Sequence, residues 1–355
     1  MRKRFCSVLV YSLLVAFLLA FGLWLASDYM LDYSLCAERK PYDQEAAFSQ
    51  KAEEYPWQKD WLDSLYVHSV LRDITIRSHH GGVRLHAVCL PAPVATDRCA
   101  LLVHGYGNTC LEMLPIAYIY HHLLGMNVLM PDLYAHGQSQ GDHINMGWFD
   151  RWDVLQWSAV ADSVFDGDTR MILHGISMGA ATVMMASGED VPQRVQAIVE
   201  DCGYTSVWDE FSGELDAQFH LPAFPLMYTT SRLCQSRYGW NFQEASSLEQ
   251  VSRSRLPMLF IHGDQDTFVP TWMVYTLYAA KPQPKKLWIS PGSKHARSYA
   301  DHPEEYSREV ISFVNEYLPS SSPADTLSYE QCCSPFPMSE DTGLYACPWP
   351  DTQRS

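Results

Sequence analysis

Hydrophobic and polar positions divide the chain into stretches of different period. From Phe5 to Ala26 there are 22 consecutive residues without a charge, most of them apolar. As one helix at 1.5 Å per residue, such a run is about 33 Å long, enough to cross the hydrocarbon core of a bilayer. Residues 27–70 are polar and aromatic, interrupted by Pro41 and Pro56, and read as a juxtamembrane lead-in. Leu71–Arg77 and Val83–Leu90 then alternate around His79-His80-Gly81-Gly82, which predicts a β-hairpin. Short, almost wholly apolar runs follow at Ala100–Val103, Asn127–Met130, Met171–Leu173, Ala197–Val199, Met258–Ile261 and Leu287–Ile289. Strands buried on both faces of a parallel sheet have this composition. Between them, Leu111–Leu124, Arg151–Phe165, Met178–Ser187, Thr271–Ala280 and Pro303–Tyr317 carry apolar residues at helical spacing. The alternation predicts an α/β domain over 71–318 whose mostly parallel sheet is covered by helices on both faces. The interval from Cys202 to Leu256 breaks the rhythm; its length predicts a cap insertion, about 203–256, over a site. From 319 to 355 the chain is rich in Ser, Pro, Asp and Thr and reads as a disordered tail.

Charge adds a direction and an exclusion. Met1-Arg2-Lys3-Arg4 precedes the apolar run, and Asp28 and Asp32 follow it. Basic residues are retained on the cytoplasmic side, so residues 1–4 read as cytoplasmic, 5–26 as a transmembrane signal-anchor, and the rest as exported, with secretion after signal cleavage as the alternative. The formal net charge of -16 sets the surface against phosphate backbones, which excludes nucleic acid as a natural partner. Ten cysteines include no CxxC pair and no zinc spacing. Cys89, Cys99 and Cys202 fall in apolar strand-like runs and read as small buried hydrophobes.

The chemistry-bearing signal is Gly175-Ile176-Ser177-Met178-Gly179, a G-x-S-x-G between a buried-strand run and a helix-compatible run. That context sets a serine on a sharp strand-to-helix turn, where bulky neighbours would collide with adjacent elements. A serine hydroxyl needs a base to take its proton, and the base needs an orienting acid. Pro257–Ile261 runs into His262-Gly263-Asp264-Gln265-Asp266, and Lys286–Ile289 into Pro291-Gly292-Ser293-Lys294-His295. Ser177, Asp266 and His295 thus each follow the carboxyl end of a strand, the edge where open parallel sheets place their sites. Asp264 and Asp201 are alternative acids, and His302, before Pro303, is an alternative base. An oxyanion would rest on the backbone N–H of Met178 and on that of Tyr106 in the glycine-containing loop His104-Gly105-Tyr106-Gly107. His104 and His174 read as loop supports.

These segments, with Pro131-Asp132-Leu133-Tyr134-Ala135-His136-Gly137-Gln138-Ser139, occur in the order found in α/β-hydrolases. From roughly Asp73 to Leu318 the chain resembles the bacterial esterase, lipase and serine-aminopeptidase-like (S33-type) branch, which includes membrane-anchored hydrolases. The resemblance implies an eight-stranded sheet, the triad Ser177, Asp266 and His295, oxyanion donors at Tyr106 and Met178, and no metal or organic cofactor. One departure stands out: Tyr134-Ala135 replaces the Arg-Gly that relatives carry before His136-Gly137.

The expected activity is hydrolysis of a carboxylic ester through an acyl-enzyme, with a peptidase or aminopeptidase-like amidase as the alternative. A membrane-tethered binding protein that has lost activity is the rival of a different class. The substrate is then a small or lipid-like ester. In the insertion, Trp208, Phe211, Phe219, Phe224, Met227 and Tyr228 supply either an apolar acyl pocket or plain packing.

Overall fold

A computed structural model describes residues 2–37 and 42–320. The first helix, α1 (Arg2–Leu35), is followed by α2 (Gln44–Glu54) and α3 (Lys59–Val67). The hairpin β1 (Arg72–Arg77) and β2 (Arg84–Leu90) leads to β3 (Arg98–Val103), a helical stretch over residues 110–123 that includes α4 (Leu114–Ala117), and β4 (Asn127–Pro131). Then come α5 (Asp150–Val164), β5 (Arg170–Ile176), α6 (Met178–Ala186) and β6 (Val195–Asp201). The insertion folds as α7 (Val207–Phe219), α8 (Leu226–Tyr238) and α9 (Ser247–Arg253). The chain closes with β7 (Met258–Gly263), α10 (Trp272–Ala280), β8 (Lys285–Ser290), α11 (Ser298–Asp301) and α12 (Pro303–Tyr317).

The eight strands form one sheet in the order β1-β2-β4-β3-β5-β6-β7-β8. β2 pairs antiparallel with both β1 and β4, and every later pairing is parallel. Alternate residues of each central strand feed separate cores: Cys99, Leu101 and Val103 enter one, Ala100 and Leu102 the other. The first core is completed by α5, α6, α10 and the cap, the second by α3, the 110–123 stretch and α12. Two-faced burial explains why these strands lack polar alternation.

α1 runs nine residues past the apolar segment. Its last turns leave the hydrocarbon-length stretch and dock on the domain, with Leu31 and Leu35 fully buried. Ser27 Oγ lies 2.6 Å from Thr229 Oγ1 of α8, and Arg237, further along α8, binds Asp28 and, at 3.1 Å, Asp32. The two acidic residues that end the apolar run therefore hold a fixed partner. The part over Leu9–Leu35 contains an 18-residue stretch of mean hydropathy 2.4 and is long and apolar enough to cross a membrane. The tail beyond Ser320 lies outside the described residues.

Candidate active site

Ser177 sits between β5 and α6 with φ 56° and ψ −119°. A positive φ in a non-glycine residue stores about 1–3 kcal/mol and persists only where its surroundings enforce it. Its flanking glycines explain the enforcement. A Cβ on Gly175 would overlap the carbonyl of Gly179, and one on Gly179 would overlap the backbone oxygen of Val103 in β3. Packing this close turns the serine hydroxyl outward at the carboxyl edge of the sheet.

Ser177 Oγ is 2.9 Å from His295 Nε2, and His295 Nδ1 is 2.8 Å from Asp266 Oδ2. Asp266 Oδ1 accepts from the N–H groups of Phe268 and Val269, at 3.0 Å each. Burial pushes this carboxyl up, but the hydrogen bonds from His262 and His295 outweigh it and leave Asp266 below the usual carboxylate range. An ionised carboxylate only accepts, so His295 carries its proton on Nδ1 and turns a lone pair to the serine. The arrangement can pass a proton from hydroxyl to imidazole while the carboxylate steadies the resulting cation.

The other candidates are engaged elsewhere. Asp201, at the end of β6, accepts from Tyr306 Oη at 3.0 Å, and burial raises it to about 6. Asp264 accepts from Gly292 N at 2.7 Å and ties the two loops that carry the acid and the imidazole. His302 Nε2 lies 2.7 Å from the carbonyl of Pro291. His174 is wedged between Tyr120 Oη and Tyr306 Oη, at 3.0 and 2.9 Å, and burial lowers it to about 3. His104 accepts from Leu133 N at 3.0 Å and donates to Gly105 O at 2.8 Å, which supports the loop holding Tyr106.

That loop faces the serine closely, for a Cβ on Gly105 would stand 3.4 Å from Ser177 Cβ. Gly107 N donates to His136 Nε2 at 3.1 Å, and His136 Nδ1 donates to Tyr134 O at 2.8 Å. Met178 opens α6, whose first N–H groups have no acceptor within the helix. The Tyr134-Ala135 departure is accommodated: Ala135 takes φ 64°, the conformation that suits the usual glycine, and Tyr134 Oη reaches Asp142 at 3.2 Å.

Sequence patterns gave no role to Asp132, which organises this region. It is fully buried and accepts from His86 Nδ1 at 2.7 Å, Cys110 N at 2.7 Å and Gln138 N at 2.9 Å. Burial raises its carboxyl, yet these partners, His86 foremost, bring it below the normal value. The available signal was a Pro-Asp pair directly after a buried-strand run.

Above Ser177 lies a cavity of about 720 Å³. Phe211, Phe219 and Met227 of the insertion line it, with Tyr106, Met146 and Phe268 from the domain. Trp208, Phe224 and Tyr228 instead pack against one another, with Phe224 and Tyr228 exposed. Glu210 is a buried acid on the cavity wall; burial first, then the charges of Glu214 and Asp266, push it well above the usual range. Met30, Tyr33 and Ser34 of α1 form part of the same wall, an assignment the sequence did not suggest.

Residues 149–321 match the model of the prolyl oligopeptidase family. The uncharacterized protein YqkD of Bacillus subtilis (strain 168) is 28% identical over 224 residues, 63% of this chain and 73% of that protein. Esterase Pf2001 of Pyrococcus furiosus superposes with a TM-score of 0.58 at 20% identity, covering 72% of this chain and 94% of its own. The acylaminoacyl peptidase of Pyrococcus horikoshii gives 0.53 at 15%, covering 76% of this chain and 46% of its own. The sheet order, the strand-to-helix serine turn and these likenesses together show that the chain has the α/β-hydrolase fold, and they support a hydrolase.

Proposed function

We propose that this hydrolase cleaves carboxylic esters through a serine acyl-enzyme. Ser177 attacks the carbonyl carbon as His295 Nε2 takes its proton, and Asp266 holds the imidazole and offsets its charge. The oxyanion rests on the N–H groups of Tyr106 and Met178. His295 then protonates the leaving alcohol, and a water molecule activated by the same imidazole releases the acid. The observation that carries this reading is the unbroken contact from Ser177 Oγ through His295 to Asp266, at 2.9 and 2.8 Å. The apolar wall of the cavity supports an acyl group as the part bound there. An amide or peptide is the second substrate class, supported by the prolyl oligopeptidase match and the acylaminoacyl peptidase neighbour.

The reading extends to location. α1 anchors the enzyme in a membrane with Arg2-Lys3-Arg4 inside and the hydrolase domain outside the cytoplasm. Protease added to intact cells then digests the domain; protection until lysis would place it on the other side.

A fluorophosphonate probe tests the chemistry. The full chain should label, and Ser177→Ala should abolish labelling. A folded protein that does not label is a binding protein and ends the proposal. Nitrophenyl esters of graded chain length, run beside aminoacyl anilides, decide between ester and amide; faster cleavage of the anilides would make the second class the first.

A further inference from the structure

We infer that the cavity over Ser177 is loaded sideways from the bilayer, and that its substrate is a long-chain acyl ester with an uncharged head, of the acylglycerol kind. This rests on the anchored serine-esterase reading above and names its substrate. The first support is the position of the wall. The apolar run ends at Ala26, and Met30 and Ser34, both facing the cavity, follow four and eight residues later on the same helix. At 1.5 Å per residue they stand about 6 and 12 Å beyond the hydrocarbon edge. Headgroup layers are about 5–8 Å thick on each side, so the cavity begins within or just outside that layer.

The second support is the lip of the cap. α8 runs alongside α1 in the same direction, since Ser27 meets Thr229 and Asp32 meets Arg237. The turn that leads into α8 is closed by Met227 N, which donates to the carbonyl of Ala223. α8 begins at Leu226, about 4–5 Å nearer the membrane than Thr229, which is itself level with Ser27 at the edge of the apolar run, and Phe224 stands just before that start. Leu221, Phe224 and Tyr228 are 43%, 72% and 54% exposed at this end of the cap, and Tyr29 of α1, stacked on Tyr33, is 61% exposed. Large apolar and aromatic side chains held at this depth match those that settle into a membrane interface. The lip is continuous with α1, so its occupant is the bilayer surface.

The third support is chemical. Phe219, at the end of α7, packs edge-on against Tyr33 of α1 at 5.7 Å, and Tyr33 Oη donates to Gln218 at 2.8 Å. Cap and membrane helix thus share one seam along the cavity, and Tyr106 Oη donates to Ser34 O at 3.0 Å on the domain side. An acyl chain leaving the bilayer along this seam passes apolar side chains up to Ser177. Glu214 on the wall and a formal charge of -16 oppose an anionic head.

The experiment uses the full chain reconstituted in phosphatidylcholine vesicles, with dioleoylglycerol in the same vesicles and nitrophenyl acetate in the water. Fluorophosphonate labelling counts active molecules. Phe224→Glu, with Leu221→Glu as a second variant, puts a charge on the lip without touching the cavity. Expected is oleate release by the native chain and a loss of about tenfold or more in each variant. Nitrophenyl acetate turnover should stay within about twofold. Acetate cleavage without oleate release, or variants that leave oleate release unchanged, would overturn the inference alone. Absence of labelling and of both activities would overturn the esterase reading on which it rests.

Discussion

Replacing Asp266 by asparagine isolates the carboxylate from the rest of the site. Its Oδ1 is occupied by the N–H groups of Phe268 and Val269, at 3.0 Å each, while Oδ2 receives the Nδ1 proton of His295 at 2.8 Å. In Asp266→Asn the two backbone donors keep the amide oxygen on their side, which turns the NH2 group toward His295. Nδ1 must then accept, the ring proton moves to Nε2, and an N–H faces Ser177 Oγ across 2.9 Å. The imidazole keeps its place and loses the lone pair that deprotonates the serine. The same inversion in a serine protease costs about 10⁴ in kcat, or roughly 5 kcal/mol of transition-state stabilisation. Turnover of a soluble nitrophenyl ester at neutral pH, per active site, measures it. Asp201→Asn and Asp264→Asn are the controls, because neither side chain contacts His295: one holds Tyr306, the other Gly292 N. Each should keep activity within about tenfold of the native chain. If Asp266→Asn stays within that range too, or Asp201→Asn falls as far, the assignment of the acid is wrong.

Three further outcomes follow from packing and charge. Gly179→Ala sets a methyl group against the backbone of Val103 and His104, so α6 must back away from β3; thermal unfolding should show a loss of about 1–3 kcal/mol, and kcat should fall about 100-fold because Ser177 and Met178 move with the helix. Unchanged kcat would remove the close approach as the reason for that glycine. His174 titrates at about 3 in the fold against 6.5 when exposed, so the unfolded chain takes up the proton first. The stability it contributes is complete above pH 6.5 and is lost as pH falls toward 3, up to about 5 kcal/mol in all. Urea titrations from pH 7 to 4 should show this decline, and His174→Gln should flatten it; an equal slope in the variant assigns the acid limb to other groups. Asp132→Ala leaves the N–H groups of Cys110 and Gln138 without their acceptor and His86 without its inner partner, a cost of about 3–5 kcal/mol in urea unfolding. A loss below about 1 kcal/mol would mean that water replaces the carboxylate there.

What could be read from the chain alone was whatever depends on neighbours in sequence. The central strands are buried on both faces, so Ala100–Val103 and Met258–Ile261 announce themselves by having no polar side. Ser177, Asp266 and His295, which the structure brings into contact, each follow such a run within a few residues. Asp264 and Asp266 share one tight turn, in which Asp266 meets His295 while Asp264 turns to Gly292. Long-range pairings hid the rest. Asp28 and Asp32 look like the hydrated end of a membrane segment, but Arg237, more than 200 residues later, binds both and lets α1 continue to Leu35. The aromatic residues of the insertion share one composition, yet α7 turns Phe211 and Phe219 into the cavity while Phe224 stays outside. Glu210, on the same helix α7, is a buried wall group. Each of these non-local pairings bears on which molecule reaches the serine, whereas the local patterns bear on what the serine does to it. On the proposed reading the chemistry is written in short motifs, while the wall over Ser177 is shaped by contacts, such as that of Arg237 with α1, that no motif contains.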